Sequence, residues 1–482
     1  MRKLDLLLIK SDALLSDAFE LLNKNGRGIC IVVKEMRIVG ILTDGDIRRF
    51  LLKTNDLGSK VEDAMNKDYL ALHINSKEEL VRKSFTNGIK IIPLHDDDFR
   101  IVDTADVQNS YKIPVLEPKL EGNELKYIVN CLETNWISSQ GKYVNKFEEM
   151  FSAIHNDIYS LSVSSGTTAL HLALVALGIG DGDEVIIPNL TFAACANAVI
   201  LASAKPVLCE VDAFSWCIDI NEAEKLITKE TKAIMAVHLY GQVCDIEPLV
   251  DLCKNKNIFL IEDCAEAIGS SIKERRVGTF GDASTFSFFG NKTISTGEGG
   301  MILFKKKEIQ NKAKILRDHG MNPSKRYWHD EIGFNYRLTN LQASIGVAQL
   351  ERFESILEKK LEIAKLYKKN LHGGENILML PNEYSDVVNS NWLFTIILSN
   401  KMNRDLLIDE LNNLGIETRP VFYNLHVMPP YINFRTSQSL LNSLKISKNG
   451  LSLPTSLSLQ KEDIIYVCDS LKRLLSLKGA QN

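Results

Sequence analysis

From Lys119 onward, short apolar runs alternate with longer stretches of helical periodicity, and this alternation constrains the fold more than any other feature of the chain. Strands are expected at Asp183 to Pro188, Pro206 to Val211, Ala233 to Leu239 and Ile258 to Ile261. Such strands, interleaved with helices, bury both faces of a mainly parallel sheet, which gives an α/β class. Ligands in open sheets of this kind sit beyond the carboxyl ends of the strands, so the residues at those ends carry the functional reading.

Four such ends stand out. Thr285 to Phe289 reads as a strand that leads through Gly290 and Asn291 to Lys292, then to a Thr296 to Gly300 turn. A lysine at the tip of a buried strand is desolvated, which disfavours its ammonium form and leaves a nucleophilic amine. Lys292 is thus a candidate attachment point for an aldehyde cofactor, the alternative being a loop lysine at the surface. Ser162 to Ala173 reads as a strand end, a small-residue turn and a helix. Free amides and the positive helix end at Gly166 to Ala169 suit a phosphate dianion, or form a simple cap. Phe192, at the turn before a small-residue helix, either stacks on a planar ring or joins the core. Asp263, after Ile258 to Ile261, either keeps a pyridine nitrogen protonated or caps the next helix.

Composition narrows the class. At 482 residues two to three domains are expected. A hydrophobic content of 45% and charged content of 24% are ordinary for a globular protein, and a net charge of -4 gives no electrostatic footprint for nucleic acid. The nine cysteines form no CxxC pair and no Cys/His set at zinc spacing, so reduced thiols, a cytoplasmic location and no metal site are expected. The amphipathic, acidic continuation of the N-terminus is not read as a signal peptide, and no apolar run is long enough for a bilayer.

Two half-similar segments open the chain, offset by about 60 residues. Ser16 to Asn25 reads as a helix before the strands Ile29 to Val33 and Ile38 to Thr43; Ser76 to Asn87 reads as a helix before the strands Ile89 to Leu94 and Arg100 to Val107. The pattern resembles a pair of CBS motifs, modules that often bind adenine nucleotides. That resemblance puts ribose contacts at Thr43 and Asp46; in the second copy Asp103 replaces the threonine, while Asp106 matches Asp46. A packing or dimerising module with no ligand is the competing reading. Pro114 and Pro118 mark a linker from Tyr111 to Glu117. The resulting division is 1–112 as a CBS-pair regulatory module, 113–365 as a large cofactor-binding domain and 366–482 as a small C-terminal domain. Leu341 to Lys368 is expected as one long amphipathic helix bridging the last two, with a strand at Asn391 to Leu398 and a helix at Arg404 to Leu414 beyond it.

Taken together, the chain from Pro118 resembles the pyridoxal-phosphate-dependent aminotransferases of the nucleotide-sugar type, the DegT/StrS family. The resemblance is closest to its GDP-perosamine synthase group. It rests on Thr134 to Ser139, Ser287 to Lys292, Leu316 to Gly320, Gly333 to Arg337 and Arg419 to Tyr423. The family implies a fold type I transferase with pyridoxal 5'-phosphate as cofactor. By that resemblance Lys292 carries the cofactor and shuttles a proton, Asp263 pairs with the ring nitrogen and Phe192 stacks on the ring. Gly166, Thr167 and Ser287 hold the phosphate, Glu266 stands near the ring oxygen, and Asn335 reaches the neighbouring subunit's cofactor in a homodimer. Ile137, Ser138, Arg419 and His426 are implied substrate contacts, with structural roles open for the last two. The implied reaction moves an amino group from L-glutamate to the C4 ketone of a nucleotide-linked 4-keto-6-deoxysugar, GDP-linked before UDP- or dTDP-linked. The alternatives are a sugar dehydratase, whose family members carry His where this chain has Lys292, and a non-catalytic nucleotide sensor.

Overall fold

The structure is a computed structural model and describes residues 3–54, 56–76, 80, 81, 84, 85, 89–106, 113–381 and 386–479. It forms two compact units, Met1–Lys112 and Ile113–Asn482.

In the first unit one pattern of pairing occurs twice. Leu8–Lys10 runs parallel to Ile29–Lys34, which pairs antiparallel with Arg37–Thr43. Leu72–His73 runs parallel to Ile91–His95, which pairs antiparallel with Ile101–Asp106. The helix Leu15–Asn25 presents Leu15, Ala18 and Leu22 to Cys30, Val32 and Leu42, and ends at Gly26, whose φ of 61° is the left-handed conformation that suits glycine. The expected second helix, Ser76 to Asn87, falls mostly outside the described residues, as does Val107.

The second unit is built on a seven-stranded sheet. In spatial order its strands are Tyr159–Val163, Gly300–Phe304, Ala283–Ser287, Phe259–Asp263, Thr231–Val237, Glu184–Pro188 and Lys205–Cys209. Gly300–Phe304 is antiparallel to both its neighbours, and the remaining pairings are parallel. Helices cover both faces, and the strands are buried nearly throughout, as a sheet packed on two sides requires. A four-stranded antiparallel sheet follows, in the order Ile377–Met379, Phe394–Leu398, Gly450–Leu453 and Arg419–Pro420.

Three local readings need correction. The expected linker ends early, because Ile113 already donates its amide to Gly415 O at 2.6 Å and Val115 is fully buried; Tyr111 lies outside the described residues. The strand expected at Thr285 to Phe289 is Ala283–Ser287, with Lys292 in the turn beyond it rather than at its tip. The single helix expected from Leu341 to Lys368 is two, Asn340–Leu350 and Phe353–Leu371. Glu351 at the break accepts hydrogen bonds from Asn123 Nδ2 and Tyr127 OH, both at 2.7 Å, so distant contacts hold the non-helical corner. The second helix joins two cores: Phe353 and Ile356 pack with the large sheet's cluster, and Ile363, Ala364, Tyr367 and Leu371 with Phe394 and Ile396 of the smaller sheet.

Candidate active site

Neighbouring strand ends converge on one buried cluster. Asp263 is the last residue of Phe259–Asp263; its Oδ1 accepts from the Ala265 amide at 3.0 Å and its Oδ2 from Cys195 Sγ at 3.2 Å. No helix follows it, so the capping alternative falls. Cys195 lies in the first turn of the helix Ala194–Leu201, just after Phe192, and burial pushes its thiol far up, so it stays a neutral donor.

Lys292 is pinned in its turn by its amide, which donates to Phe289 O at 2.9 Å. Its side chain is 12% exposed; Nζ lies 3.7 Å from Glu266 Oε1 and 3.8 Å from the centre of the Trp392 ring. Burial lowers its pKa, against the pull of Glu266 and Asp263. Glu266 accepts from the Tyr240 amide at 2.9 Å, and burial lifts it from its ordinary 4.5 to about 7 although Lys292 draws it down. Burial thus works against the charged form of both the lysine and the glutamate that faces it. Tyr240 reaches that amide geometry only at a φ of 55°, a strained value for a side-chain-bearing residue and one that clusters at functional sites. Its ring lies parallel to Trp392 (5.9 Å, 5°) and against Phe422 (5.3 Å, 27°), and Phe422 meets Phe192 (5.6 Å, 50°). A row of aromatic faces thus runs from Lys292 to Phe192, which is 58% exposed and so is not core.

Gly166 opens the helix Gly166–Ala176, and a Cβ there would come within 2.8 Å of Ser287 Cβ. Only glycine lets the helix start lie against Ser287. Ser165 and Thr168 form a capping box that satisfies the Thr168 amide, leaving the amides of Gly166 and Thr167 without an intrahelical acceptor. Beside Lys292, Asn291 Oδ1 is buried with no hydrogen-bond partner among the described residues. Open helix amides beside a serine hydroxyl fit a phosphate, a buried amine fits an aldehyde and a buried carboxylate fits a protonated ring nitrogen, so the residues present suit pyridoxal phosphate.

Sequence reasoning missed a second layer. Glu262 accepts from the amides of Gly278, Phe280 and Gly281, from Ser284 Oγ and from His238 Nε2 at 3.1 Å. Burial alone would push Glu262 up, but these donors hold it below its ordinary value. His238 Nδ1 accepts from the Cys244 amide, so its proton sits on Nε2, facing Glu262. The His238 amide in turn donates to Asp263 O at 3.0 Å. Cys264 completes a cluster of metal-ligand type with His238 and Glu262, but the nitrogens of His238 and the oxygens of Glu262 are already engaged by protein groups.

The other expected residues have hydrogen-bond or ion-pair partners of their own, or lie beside residues that do. Ile137 and Ser138 sit on an exposed loop fastened by Asn340, whose amide donates to Ser138 O and whose Nδ2 donates to Trp136 O, both at 2.6 Å. Arg419 is partly exposed and pairs with Glu417 at 3.4 Å. His426 donates through both its amide and Nδ1 to Asn189 Oδ1, and burial lowers its pKa. Asn335 is exposed, and its Oδ1 accepts from Arg337 Nε at 3.0 Å. In the first unit Thr43 and Asp46 bond to each other at 2.6 Å as the capping box of Asp44–Thr54, and Arg49 takes the second Asp46 oxygen at 2.6 Å.

The DegT/DnrJ/EryC1/StrS aminotransferase family model matches residues 118–472. The chain belongs to this family. A CBS domain model matches residues 1–53. GDP-perosamine synthase of Escherichia coli O157:H7 is 45% identical over 366 residues, 76% of this chain and 99% of that one. GDP-perosamine synthase of Vibrio cholerae is 44% identical over 362 residues, 75% and 98%. Among solved structures, Streptococcus pneumoniae Spr1654 in its PLP form superposes with a TM-score of 0.72 at 27% identity, covering 76% of this chain and all of that one. Helicobacter pylori PseC, an aminotransferase involved in pseudoaminic acid biosynthesis, gives 0.72 at 26% over 76% and 100%. The chain is a pyridoxal-phosphate-dependent sugar aminotransferase of fold type I with a CBS domain at its N-terminus. No helix among the described residues is long and apolar enough to cross a membrane.

Proposed function

We propose that this family member moves an amino group from L-glutamate to the C4 ketone of a GDP-linked 4-keto-6-deoxysugar, in the cytoplasm and as a homodimer. The observation that carries the chemistry is Lys292 Nζ, buried at 3.7 Å from Glu266 and facing the Trp392 ring. The substrate follows from likeness to GDP-perosamine synthases along nearly their whole length.

Pyridoxal phosphate, when bound, supplies an aldehyde carbon that takes up the amino group and a protonated ring that draws electrons from the reacting carbon. The chain does the rest. The Gly166 and Thr167 amides and Ser287 Oγ hold the phosphate end, while Asp263 holds the ring nitrogen at the other. Phe192 covers one face of the ring. Lys292 Nζ removes a proton from the donor's α-carbon, and in the second half-reaction returns one at C4 of the sugar. Glu266, near neutrality, takes up or gives back charge as Lys292 changes its own. Asn335 reaches across to a second subunit, and Ile137, Ser138, Arg419 and His426 meet the nucleotide-sugar. The first unit, residues 1–112, regulates, with an adenine nucleotide near Thr43 and Asp46; residues 113–365 and 366–482 form the large and small catalytic domains.

The test is to incubate the full chain with glutamate and a panel of GDP-, UDP- and dTDP-linked keto sugars, reading products by mass. A GDP-linked amino sugar and 2-oxoglutarate are expected. Amination of only UDP- or dTDP-linked sugars would overturn the substrate assignment, and a dehydrated sugar without nitrogen would overturn the reaction.

A further inference from the structure

Lys360 is a lysine in the wrong place for stability. It is 1% exposed in the middle of Phe353–Leu371, and the hydrogen bonds of its Nζ go to neutral oxygens: Trp392 O at 3.0 Å, Thr455 O at 2.8 Å and Thr455 Oγ1 at 3.1 Å. Thr455 Oγ1 spends its own proton on Trp392 O at 2.7 Å, so it accepts from Lys360. Three acceptors require three N–H groups, the ammonium form, although burial draws this lysine down to about 7. An apolar side chain would pack there at less cost, so the ammonium has a use beyond stability.

That use is visible at Trp392. Its carbonyl is gripped by Lys360 and Thr455, and its Nε1 donates to Asn291 O at 2.6 Å, the residue next to Lys292. Its ring lies parallel to Tyr240, whose amide holds Glu266. The ring is thus fixed relative to both the turn that bears Lys292 and the carboxylate that faces it. An ammonium 3.8 Å above an indole face is attracted by the ring's quadrupole, and more strongly in a desolvated site. Lys292 must exist as a free ammonium for part of each turnover, in a pocket whose burial opposes that form.

We propose that Trp392, clamped by Lys360 and Thr455, is a positioning residue that gives the free, protonated Lys292 a fixed resting place between an indole face and Glu266. This rests on the reading of Lys292 as the proton carrier. The other groups acting on Lys292 are Glu266, Asp263 and Cys195, together with Lys360, Lys119 and Glu117, which line the same small cavity.

The experiment is competitive acylation of amines in the full chain freed of cofactor, across pH, with the Lys292 peptide quantified by mass. The midpoint of its labelling curve reports the charge on Lys292, whereas a mere opening of the pocket would relieve the burial that depresses Lys292 and move the midpoint up, a result that would overturn the proposal. In Trp392→Leu the midpoint falls by about one pH unit, so labelling below the midpoint rises about tenfold; in Trp392→Phe, which keeps a ring, it falls by less than about half of that. Thr455→Val, which loosens the clamp without changing charge, shifts it the same way by less. Where Trp392→Leu lowers the melting temperature too far, Trp392→Met fills the space without a ring and takes its place. An aliphatic variant whose midpoint stays within about 0.2 units of wild type, or a ring-bearing variant that shifts as far as the aliphatic one, overturns the proposal. Hydride fixation of the cofactor in the wild type separates the two readings: an adduct away from Lys292 sinks the proton-carrier assignment, whereas an adduct on Lys292 with an unmoved midpoint sinks only the role of Trp392.

Discussion

Glu262 and Glu266 leave the same strand end, are both buried, and are made into opposite groups by their surroundings. Glu262 takes five hydrogen bonds, three of them from backbone amides, and is held below its ordinary pKa. Glu266 takes one amide and faces a lysine, and rises to about 7. With both buried, the number of fixed donors decides: many donors keep an anion that props the strand ends, and few leave a carboxylate whose pKa is raised toward neutrality. The same contrast separates the two buried lysines. Lys360 is saturated by neutral oxygens and holds structure; Lys292 has a carboxylate and a ring face and stays available.

The sharpest way to break this comparison is to remove its mobile charge. Lys292→Ala should lower transamination by about a thousandfold or more while circular dichroism shows the fold retained, because the proposed proton carrier is lost but the Glu262 layer is untouched. Substantial turnover in that variant would place the carrier elsewhere. Glu262→Ala should do the reverse, costing stability first: three buried amides lose their acceptor, and the loss should be about 3–5 kcal/mol in chemical denaturation.

Glu266→Gln tests the other arm. Between 4.5 and about 7 Glu266 is protonated in the folded chain and ionised in the unfolded one, so its contribution to stability is present below that window and is lost as pH rises through it. Glu262, with its depressed value, contributes stability above the unfolded value that is lost as pH falls through the folded one. Melting temperatures from pH 4 to 8 should therefore show a flatter decline toward high pH in Glu266→Gln than in wild type; an unchanged slope would mean the glutamate is not poised. The smallest effect belongs to the first unit, where Thr43→Ala should cost about 1 kcal/mol by removing a helix cap. A larger loss would mean that Thr43 does more than the capping box accounts for.

The chemistry-bearing residues were largely legible because they announce themselves locally. Lys292 follows an apolar run, Asp263 ends one and Gly166 opens a helix after another, so the order of strands and helices marked them as candidates, while the family resemblance assigned them to one site. What escaped reading arrives from far along the chain or depends on backbone strain. Trp392 reaches Asn291 from the smaller sheet, and nothing in Asn391 to Leu398 marks its ring as facing a catalytic turn. Tyr240 contributes through an amide exposed by a left-handed φ, which composition does not encode. Lys360 did leave a signal: it stands in register with Ile356, Ile363, Ala364 and Tyr367 on the buried stripe of its helix, where an amphipathic pattern calls for an apolar residue. The break at Glu351 and the early end of the linker at Ile113 were invisible for the same reason, since each is held by contacts far along the chain.

The central claim is that one desolvated amine, set between Glu266 and Trp392, is where the cofactor joins the chain. Reducing the pyridoxal-phosphate-loaded protein with borohydride and mapping its peptides tests it most directly. The cofactor mass should be found on the peptide carrying Lys292 and be missing from Lys292→Ala; an adduct on another lysine such as Lys360, or none in fully loaded protein, would contradict the account.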